Sequence, residues 1–387
     1  MRKTRVWLPV LGVVAAMSLA ACGSSSNDKS SSSSSSSPSA SSSSSSASGA
    51  VDGKGAKVGI ILPDTTSSPR WITADPTALK QDCQTYNLSC DIQNAGGSAS
   101  KMQSIAQQMT ANKVKVLMIV NLDPASGAKI EKEAAKNGVI PVDYDRLTPG
   151  GGAALYVSFD NVKVGKLMGQ GLVSCVTDWG VKNPNVIVMK GSPTDNNATL
   201  FAQGYDSVLA PFFASGAYKF VSVPPGSWDA NQSRSEFEEQ FTAHKSMNAA
   251  LTPNDANAAA IISYLQSQGV RPRTFPTTGQ DASLSGLQNI LAGYQCGTVY
   301  KPIYLEAGAT AALAMYLRAG RTPPPSLVNG SVTDVVSQVP VPSILANPEW
   351  VTAASMKDTV IKDNFVTAAQ LCTGQYAAEC KAAGISG

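Results

Sequence analysis

From residue 57 onward the chain alternates short β-rich runs with amphipathic helical stretches, and this alternation leaves few architectures open. Strand-like runs lie at 57–62, 89–93, 114–121, 139–145, 154–159, 185–190, 219–223, 249–251, 275–278 and 297–300. Helical stretches separate them; in 100–111, Met102, Ile105, Ala106 and Met109 recur at helical spacing. Asp123-Pro124 reads as an N-cap with Pro at the first helical position, and Gly138 as the stop. Such alternation predicts an α/β fold with parallel sheets flanked by helices on both faces. About ten strands fit two sheets better than one, and 387 residues match a length prior of roughly two domains.

The first fifty residues lie outside that pattern. Arg2, Lys3 and Arg5 precede an apolar run from Val6 to Ala21, which stops at Cys22. Residues 1–21 read as a secretory signal: a basic start, then an apolar stretch shorter than the roughly 20 residues of a spanning helix. Residues 22–50 begin with that Cys, and 19 Ser among the 28 residues that follow it exclude a packed core. A flexible tether of that length has an end-to-end distance of roughly 30 Å. The formal charge of +3 equals the contribution of Arg2, Lys3 and Arg5, so the processed chain is formally neutral. No basic stripe for nucleic acid remains.

Six Cys follow Cys22, an even number for an oxidising compartment, which allows 15 pairings into three disulfides. Proximity favours Cys83 with Cys90 and Cys372 with Cys380, which leaves Cys175 for Cys296. The single His, His244, excludes multi-histidine metal sites, and no C-x-x-C, G-x-S-x-G or P-loop pattern occurs. No metal or cofactor is expected. Gly53, Gly55 and Gly59 precede the first strand, which rules them out as a dinucleotide fingerprint, and His244 reads as a helical surface residue.

In open α/β sheets ligands bind beyond the carboxyl ends of strands. Four such ends carry Tyr144-Asp145-Arg146, Asp195-Asn196-Asn197, Asn254-Asp255 and Gln280-Asp281. Singly, each Asp or Asn is more simply a helix cap; together they describe a site. Carboxylates accept, Arg donates and Asn does both, a mixture suited to hydroxyl groups that also do both. Trp71, beside Arg70, and Trp228 stand in polar loops, where the apolar face of a pyranose has a ring to stack on; packing as core under a loop is the other reading. Lys301 is either a further donor or a solvated surface residue.

The collinear motifs Arg70-Trp71, Tyr144-Asp145-Arg146-Leu147, Ser158-Phe159-Asp160-Asn161, Gly191-Ser192-Pro193 with Asp195-Asn196-Asn197, Trp228-Asp229, Asn254-Asp255, Gly279-Gln280-Asp281 and Tyr300-Lys301-Pro302 carry a resemblance. The chain resembles the sugar-binding, type I periplasmic-binding-protein-like solute receptors of ABC importers, in particular the D-xylose-binding and multiple-monosaccharide-binding ones. Leu19-Ala20-Ala21-Cys22 resembles the lipobox of bacterial lipoproteins, which implies lipidation of Cys22 and anchoring at the outer face of the cell membrane.

The family resemblance implies two Rossmann-like lobes joined by three hinge crossings, near 158–161, 301–302 and 340–342. The first lobe is expected to span 51–158 and 302–338, and the second 159–301 and 339–387. It implies a monosaccharide, xylose first, held by Arg70, Asp145 and Arg146 from one lobe and Asp195, Asn197, Asn254 and Asp281 from the other. Trp71 and Trp228 would sandwich the ring, and Lys301 would reach it from a hinge. The expected partners are a permease and its ATPase, the receptor being a monomer and not an enzyme. A lipid-anchored sugar sensor and a carbohydrate-active enzyme are the alternatives; paired carboxylates keep the second open. Pro63-Asp64, Pro69 and the Pro/Gly-rich segment 223–228 depart from the family pattern, and the tail from Gln370 extends beyond it.

Overall fold

The computed structural model describes residues 52–385. Cys22, the signal segment and the Ser-rich stretch lie outside the described residues. In chain order the elements are β1 (Ala56–Leu62), α1 (Ala74–Thr85), β2 (Leu88–Asn94), α2 (Ala99–Ala111), β3 (Val116–Ile119), α3 (Pro124–Lys136), β4 (Ile140–Tyr144) and β5 (Leu155–Phe159). Next come α4 (Asn161–Asp178), β6 (Asn185–Val188), α5 (Asn196–Ala214), β7 (Lys219–Phe220), α6 (Ala230–Ala243), β8 (Ala249–Leu251), α7 (Asp255–Ser267), α8 (Leu284–Leu291) and β9 (Thr298–Tyr300). The last are α9 (Ile303–Arg318), β10 (Gly330–Thr333), β11 (Pro340–Ala346), β12 (Glu349–Val351), α10 (Ala368–Leu371) and α11 (Ala377–Ala382).

Val58 to Leu62 are buried in succession, as befits a central parallel strand covered on both faces. The first lobe is a seven-stranded sheet of order β10-β11-β5-β4-β3-β1-β2, parallel except for β10 against β11. Alternate side chains of β1 serve opposite cores. Val58, Ile60 and Leu62 pack with Leu79 of α1 and with Ala307, Ala311 and Ala314 of α9. Ile61 packs with Met102, Ile105 and Met109 of α2 and Ile130 of α3. The helical spacing read in α2 is thus its buried face. Asp123 caps α3 through Ser126 N at 2.9 Å, and Gly138 takes the left-handed φ of 72° beyond its end.

The second lobe repeats this arrangement on a shorter scale. Val186 and Val188 face Val164, Phe201 and Tyr205 of α4 and α5, while Ile187 faces Phe237 of α6 and Ile261 of α7. Its strands form two groups, β7-β6-β8 and β12-β9. The expected strand at 275–278 is reduced to a bridge from Thr277 to Ala250, followed by one from Gln280 to Val299. Pro276 has no N–H to donate, but its carbonyl accepts from Ala250 N at 2.9 Å, so the segment joins the two groups without being a regular strand. The expected strand 219–223 shortens to β7 before Pro224 and Pro225.

The chain crosses between lobes after β5, after β9 and after β11. The third crossing is a correction: β11 pairs with β5 from Ser343↔Tyr156 to Ala346↔Phe159, so the chain leaves the first sheet after Ala346, not near 340–342. The lobe boundary expected at 338/339 moves with it. Crossings one and three run side by side, Asp160 N donating to Ala346 O at 3.0 Å.

The disulfides Cys83–Cys90 and Cys372–Cys380 pair as proximity suggested, and Cys175–Cys296 as elimination left them. On loop-entropy arithmetic the 121-residue span of Cys175–Cys296 contributes most, about 5 kcal/mol. The tail is structural. Leu371, Cys380 and Ile385 pack with Ala282, Leu287, Val351 and Met356, beneath the loop that carries Asp281. Among the described residues, no helix is long and apolar enough to cross a membrane.

Glu131 of α3 is fully buried next to Asp143 of β4. Burial first, then the Asp143 charge, raises its carboxyl to about 10. A raised carboxyl contributes stability that is complete below its unfolded value near 4.5 and is lost as pH rises toward the folded value. Glu131→Gln should therefore raise the melting temperature more at pH 8 than at pH 4, measured by thermal unfolding across that range; an equal change at both would contradict this account of the pair.

Candidate functional site

Asp64, one of the departures noted in the sequence, builds the first wall of the cleft. Its Oδ1 accepts from Thr66 N and Ser67 N at 2.8 and 2.7 Å, a turn that sets Ser67 Oγ 3.1 Å from Trp71 Nε1, which donates to it. Pro69, a second departure, opens a single 3-10 turn over Pro69–Trp71, where its fixed φ suits a helical start. That turn drives Arg70 into the interior. Its Nε and Nη2 grip Asp75 at 2.8 and 2.7 Å, Nη1 reaches Asp145 at 2.6 Å, and Nη2 also meets Glu306 of α9 at 2.5 Å. Four of five N–H donors are thereby committed to carboxylates. Arg70 holds the cleft together more than it offers donors to a ligand.

Asp145 follows β4 with a left-handed φ of 60°, a conformation Asp tolerates better than most residues. Three donors fix it: Tyr156 Oη, Ser158 Oγ and Asn197 Nδ2 reach its carbonyl at 2.7, 2.8 and 2.8 Å. Burial pushes its carboxyl up, but Arg70, Lys301 and Arg146 outweigh burial and hold it below the usual range. Arg146 donates to Asn121 O at 3.2 Å and places Nε 3.1 Å from Asp195 across the cleft.

From the second lobe, Asp195 and Asn254 are helix caps and cleft residues at once. Asp195 Oδ1 accepts from Asn197 N, while Oδ2 accepts from Trp228 Nε1 at 2.9 Å. Burial raises the Asp195 carboxyl above its ordinary value, with Arg146 opposing. Asn254 Oδ1 caps α7 through Asn257 N, leaving Nδ2 to donate to Ser67 O at 3.2 Å. Asn197 is spent internally: Oδ1 accepts from Asn161 Nδ2 and lies 2.9 Å from Tyr156 Oη, and Nδ2 serves Asp145.

Asp281 has a φ of 89°, again in the left-handed region, and accepts from Ser68 Oγ at 2.8 Å. Its loop rests on buried Asp255, which accepts from Ser283 N and Gln295 Nε2, both at 2.8 Å. Burial pushes Asp255 up to about 7. Lys301 is no surface residue: 4% exposed, it stands 3.3 Å from Asp281 and 3.8 Å from Asp145, directly after β9.

All ten residues singled out in the sequence line one cavity: Arg70, Trp71, Asp145, Arg146, Asp195, Asn197, Trp228, Asn254, Asp281 and Lys301. Ser67, Ser68, Phe201 and Gln280 line it too, without having been singled out. The Gln280 Oε1 acceptor is buried and has no hydrogen-bond donor, and Asp281 Oδ1, equally buried, faces Lys301 Nζ at 3.3 Å. Asp75 and Glu306, behind Arg70, were also missed, although a lone Glu in the apolar α9 is itself a sign of a buried partner. Burial raises Glu306 to about 8 against the pull of Arg70.

The two Trp differ. Trp71 is 3% exposed, with Arg70 4.3 Å and Arg146 5.8 Å from its ring centroid, so cations already occupy its surroundings. Trp228 is half-buried, with Phe201 edge-on at 6.4 Å. The Pro/Gly-rich departure at 223–228 seats it over Gly191, where an added Cβ would stand 2.2 Å from the indole.

The cavity measures about 20 Å³, room for one water, because its walls bond to one another across the lobes. A ligand larger than a water molecule would require Ser68–Asp281, Arg146–Asp195 and Asn254–Ser67 to separate, which frees those donors and acceptors. Among the described residues there is no group of three or more His, Cys, Asp and Glu placed to hold a metal ion.

Comparison with known proteins gives a consistent result. A family model described as a periplasmic binding protein domain matches residues 58–322. The D-xylose-binding periplasmic protein of Escherichia coli (strain K12) is 34% identical over 319 residues, covering 82% of this chain and 92% of that protein. The multiple sugar-binding periplasmic protein SbpA of Azospirillum brasilense is 32% identical over 328 residues, covering 81% and 90%. Among solved structures, a carbohydrate transporter solute binding protein from Chloroflexus aurantiacus in complex with D-glucose superposes with a TM-score of 0.73 at 25% identity. It covers 81% of this chain and 97% of that one.

The Gly191–Trp228 contact yields a test. Gly191→Ala leaves the elements intact but forces the indole out of its seat, so sugar affinity measured by calorimetry should fall at least tenfold with little change in far-ultraviolet circular dichroism. Unchanged affinity would remove Trp228 from the site.

Proposed function

The chain belongs to the periplasmic binding protein family, and on that premise we propose that it is a lipid-anchored receptor that captures a neutral monosaccharide and delivers it to an ABC importer. The observation that carries the reading is the cleft itself. Asp145, Asp195 and Asp281 supply acceptors, Arg146, Lys301 and Asn254 supply donors, and Trp228 and Trp71 supply apolar surface, all drawn from both lobes and the second crossing. A hydroxyl both donates and accepts, so a ring of hydroxyls satisfies this alternation where an anion or a cation would leave one set unpaired. Xylose, or a related aldopentose or aldohexose, is the ligand proposed, since relatives named for D-xylose and for multiple sugars cover most of the chain.

The cross-lobe pairs suggest how binding works. Opening about the three crossings parts Ser68 from Asp281 and Arg146 from Asp195. The sugar's hydroxyls then take the place of these mutual bonds, and the lobes close on it. Closure follows from the ligand's contacts with both lobes at once, a population shift toward the closed form. The Arg70–Asp75–Glu306 cluster lies behind the cleft and keeps the first wall and the second crossing rigid through the motion. Delivery requires a permease and an ATPase that read the closed form. Cys22 and the Ser-rich tether hold the receptor within reach of them at the outer face of the membrane.

Thermal unfolding with xylose, glucose, galactose, arabinose and ribose tests the reading. A ligand at 100 times its Kd stabilises the native state by about 2.7 kcal/mol, so at least one sugar should raise the melting temperature by several degrees; a flat panel contradicts the proposal. Asp281→Ala should weaken binding of that sugar by roughly tenfold to a hundredfold, the loss of a charged acceptor being worth about 1.5–3 kcal/mol. For the anchor, Cys22→Ser should release the protein from the membrane fraction into the soluble one, and retention would argue against lipidation at this residue.

A further inference from the structure

Beside the cleft lies a second and much larger chamber of about 530 Å³, between the exposed face of α1, the start of α9 and residues 363–366. We propose that it accommodates the second unit of a neutral disaccharide whose terminal unit occupies the cleft. This rests on the sugar-binding reading and extends it from a single sugar to a short glycoside.

Continuity is the first argument. Cleft and chamber share Ser68, Arg70 and Asp281 in their linings. Of these, Ser68 Oγ and Asp281 Oδ2, 2.8 Å apart, form a single hydrogen bond between the lobes where the two spaces meet. The lobe opening that admits a sugar to the cleft parts this same bond. A glycosidic oxygen lying between the two residues can then accept from Ser68 Oγ, while a hydroxyl flanking the linkage donates to Asp281.

The chamber's chemistry is the second argument. Tyr304, 50% exposed, presents a ring in its wall. Asp363 accepts from the hydroxyls of Tyr300 and Tyr304 at 3.1 and 3.4 Å, and Gln81 and Gln370 add amides that both donate and accept. Aromatic surface with alternating donors and acceptors repeats the character of the cleft. The one cation in the lining, Arg70, is engaged by Asp75, Asp145 and Glu306, while Asp363 adds negative charge. An acidic or phosphorylated ligand therefore finds no counter-charge, and a neutral sugar does not require one. A volume of this size lies within the range of ligand pockets, roughly 300–1,000 Å³.

Calorimetric titration of the full chain with D-xylose, D-glucose, xylobiose, cellobiose, maltose and lactose tests the inference. At least one disaccharide should bind tenfold or more tightly than the better of the two monosaccharides. Thr77→Trp, from an exposed position of α1 in the chamber wall, should bring that disaccharide back to monosaccharide affinity while leaving the monosaccharide within twofold. Tyr304→Ala should weaken the disaccharide selectively as well, which covers the case of a poorly folding Trp variant. If a monosaccharide binds and no disaccharide binds more tightly, or if both variants leave the disaccharide unaffected, the chamber has no such role and the monosaccharide reading stands. If none of the six sugars binds and the five-monosaccharide melting panel is flat as well, the sugar reading fails and the disaccharide with it; if galactose, arabinose or ribose alone binds, the sugar reading stands and the chamber has no such role.

Discussion

A guanidinium removed from water must find carboxylates, and Arg70 finds three. Its contacts with Asp75, Asp145 and Glu306 connect the first turn of α1, the end of β4 and the helix that follows the second crossing. Tyr144 adds a hydrogen bond to Asp75 at 2.6 Å. Removing any one partner leaves a buried charge incompletely compensated, which costs far more than the pair contributes when whole. The cluster fixes where the first wall of the cleft stands and ties it to the hinge. Asp145 takes part both in this cluster and in the cleft lining, so the rigid support and the proposed recognition surface share one side chain.

The rest of the cleft uses mutual satisfaction. Arg146 with Asp195, Lys301 with Asp281 and Asn254 with the Ser67 carbonyl pair residues that would otherwise be buried and unpartnered. Two residues there, Asp145 and Asp281, adopt left-handed backbone, which for a residue other than Gly costs about 1–3 kcal/mol and persists only where the surroundings enforce it. Three donors on the Asp145 carbonyl and the Asp255-anchored loop under Asp281 provide that enforcement. Strain located at the cleft and supported from behind is the mark of a preorganised site.

Much of this was legible in the sequence because strand ends and helix starts are adjacent. Asp195 and Asn254 read as caps and as ligand residues, and each carries out the cap with one oxygen while its other polar atom faces the cleft. The alternation of strands and helices predicted parallel sheets covered on both faces, which β1 and its two cores display. β11 escaped notice because Pro340 and Pro342 make its start read as a turn, although Ser343 to Ala346 complete a parallel pairing with β5. Pro276 had the opposite effect, interrupting a stretch that reads as a strand. The commitment of Arg70 was invisible for a different reason: Glu306 lies 236 residues away in sequence, so its apolar setting in α9 points to a buried partner without saying which.

The account separates pairs that a ligand replaces from pairs that stay. A crystal structure of the chain with a bound aldopentose examines that division most directly. The account predicts one sugar ring against Trp228, its hydroxyls on Asp145, Asp195 and Asp281 in place of the Ser68–Asp281 and Arg146–Asp195 contacts, with Arg70 still held by Asp75 and Glu306. A sugar bound outside the cleft, or one that draws Arg70 away from those two carboxylates, would contradict it.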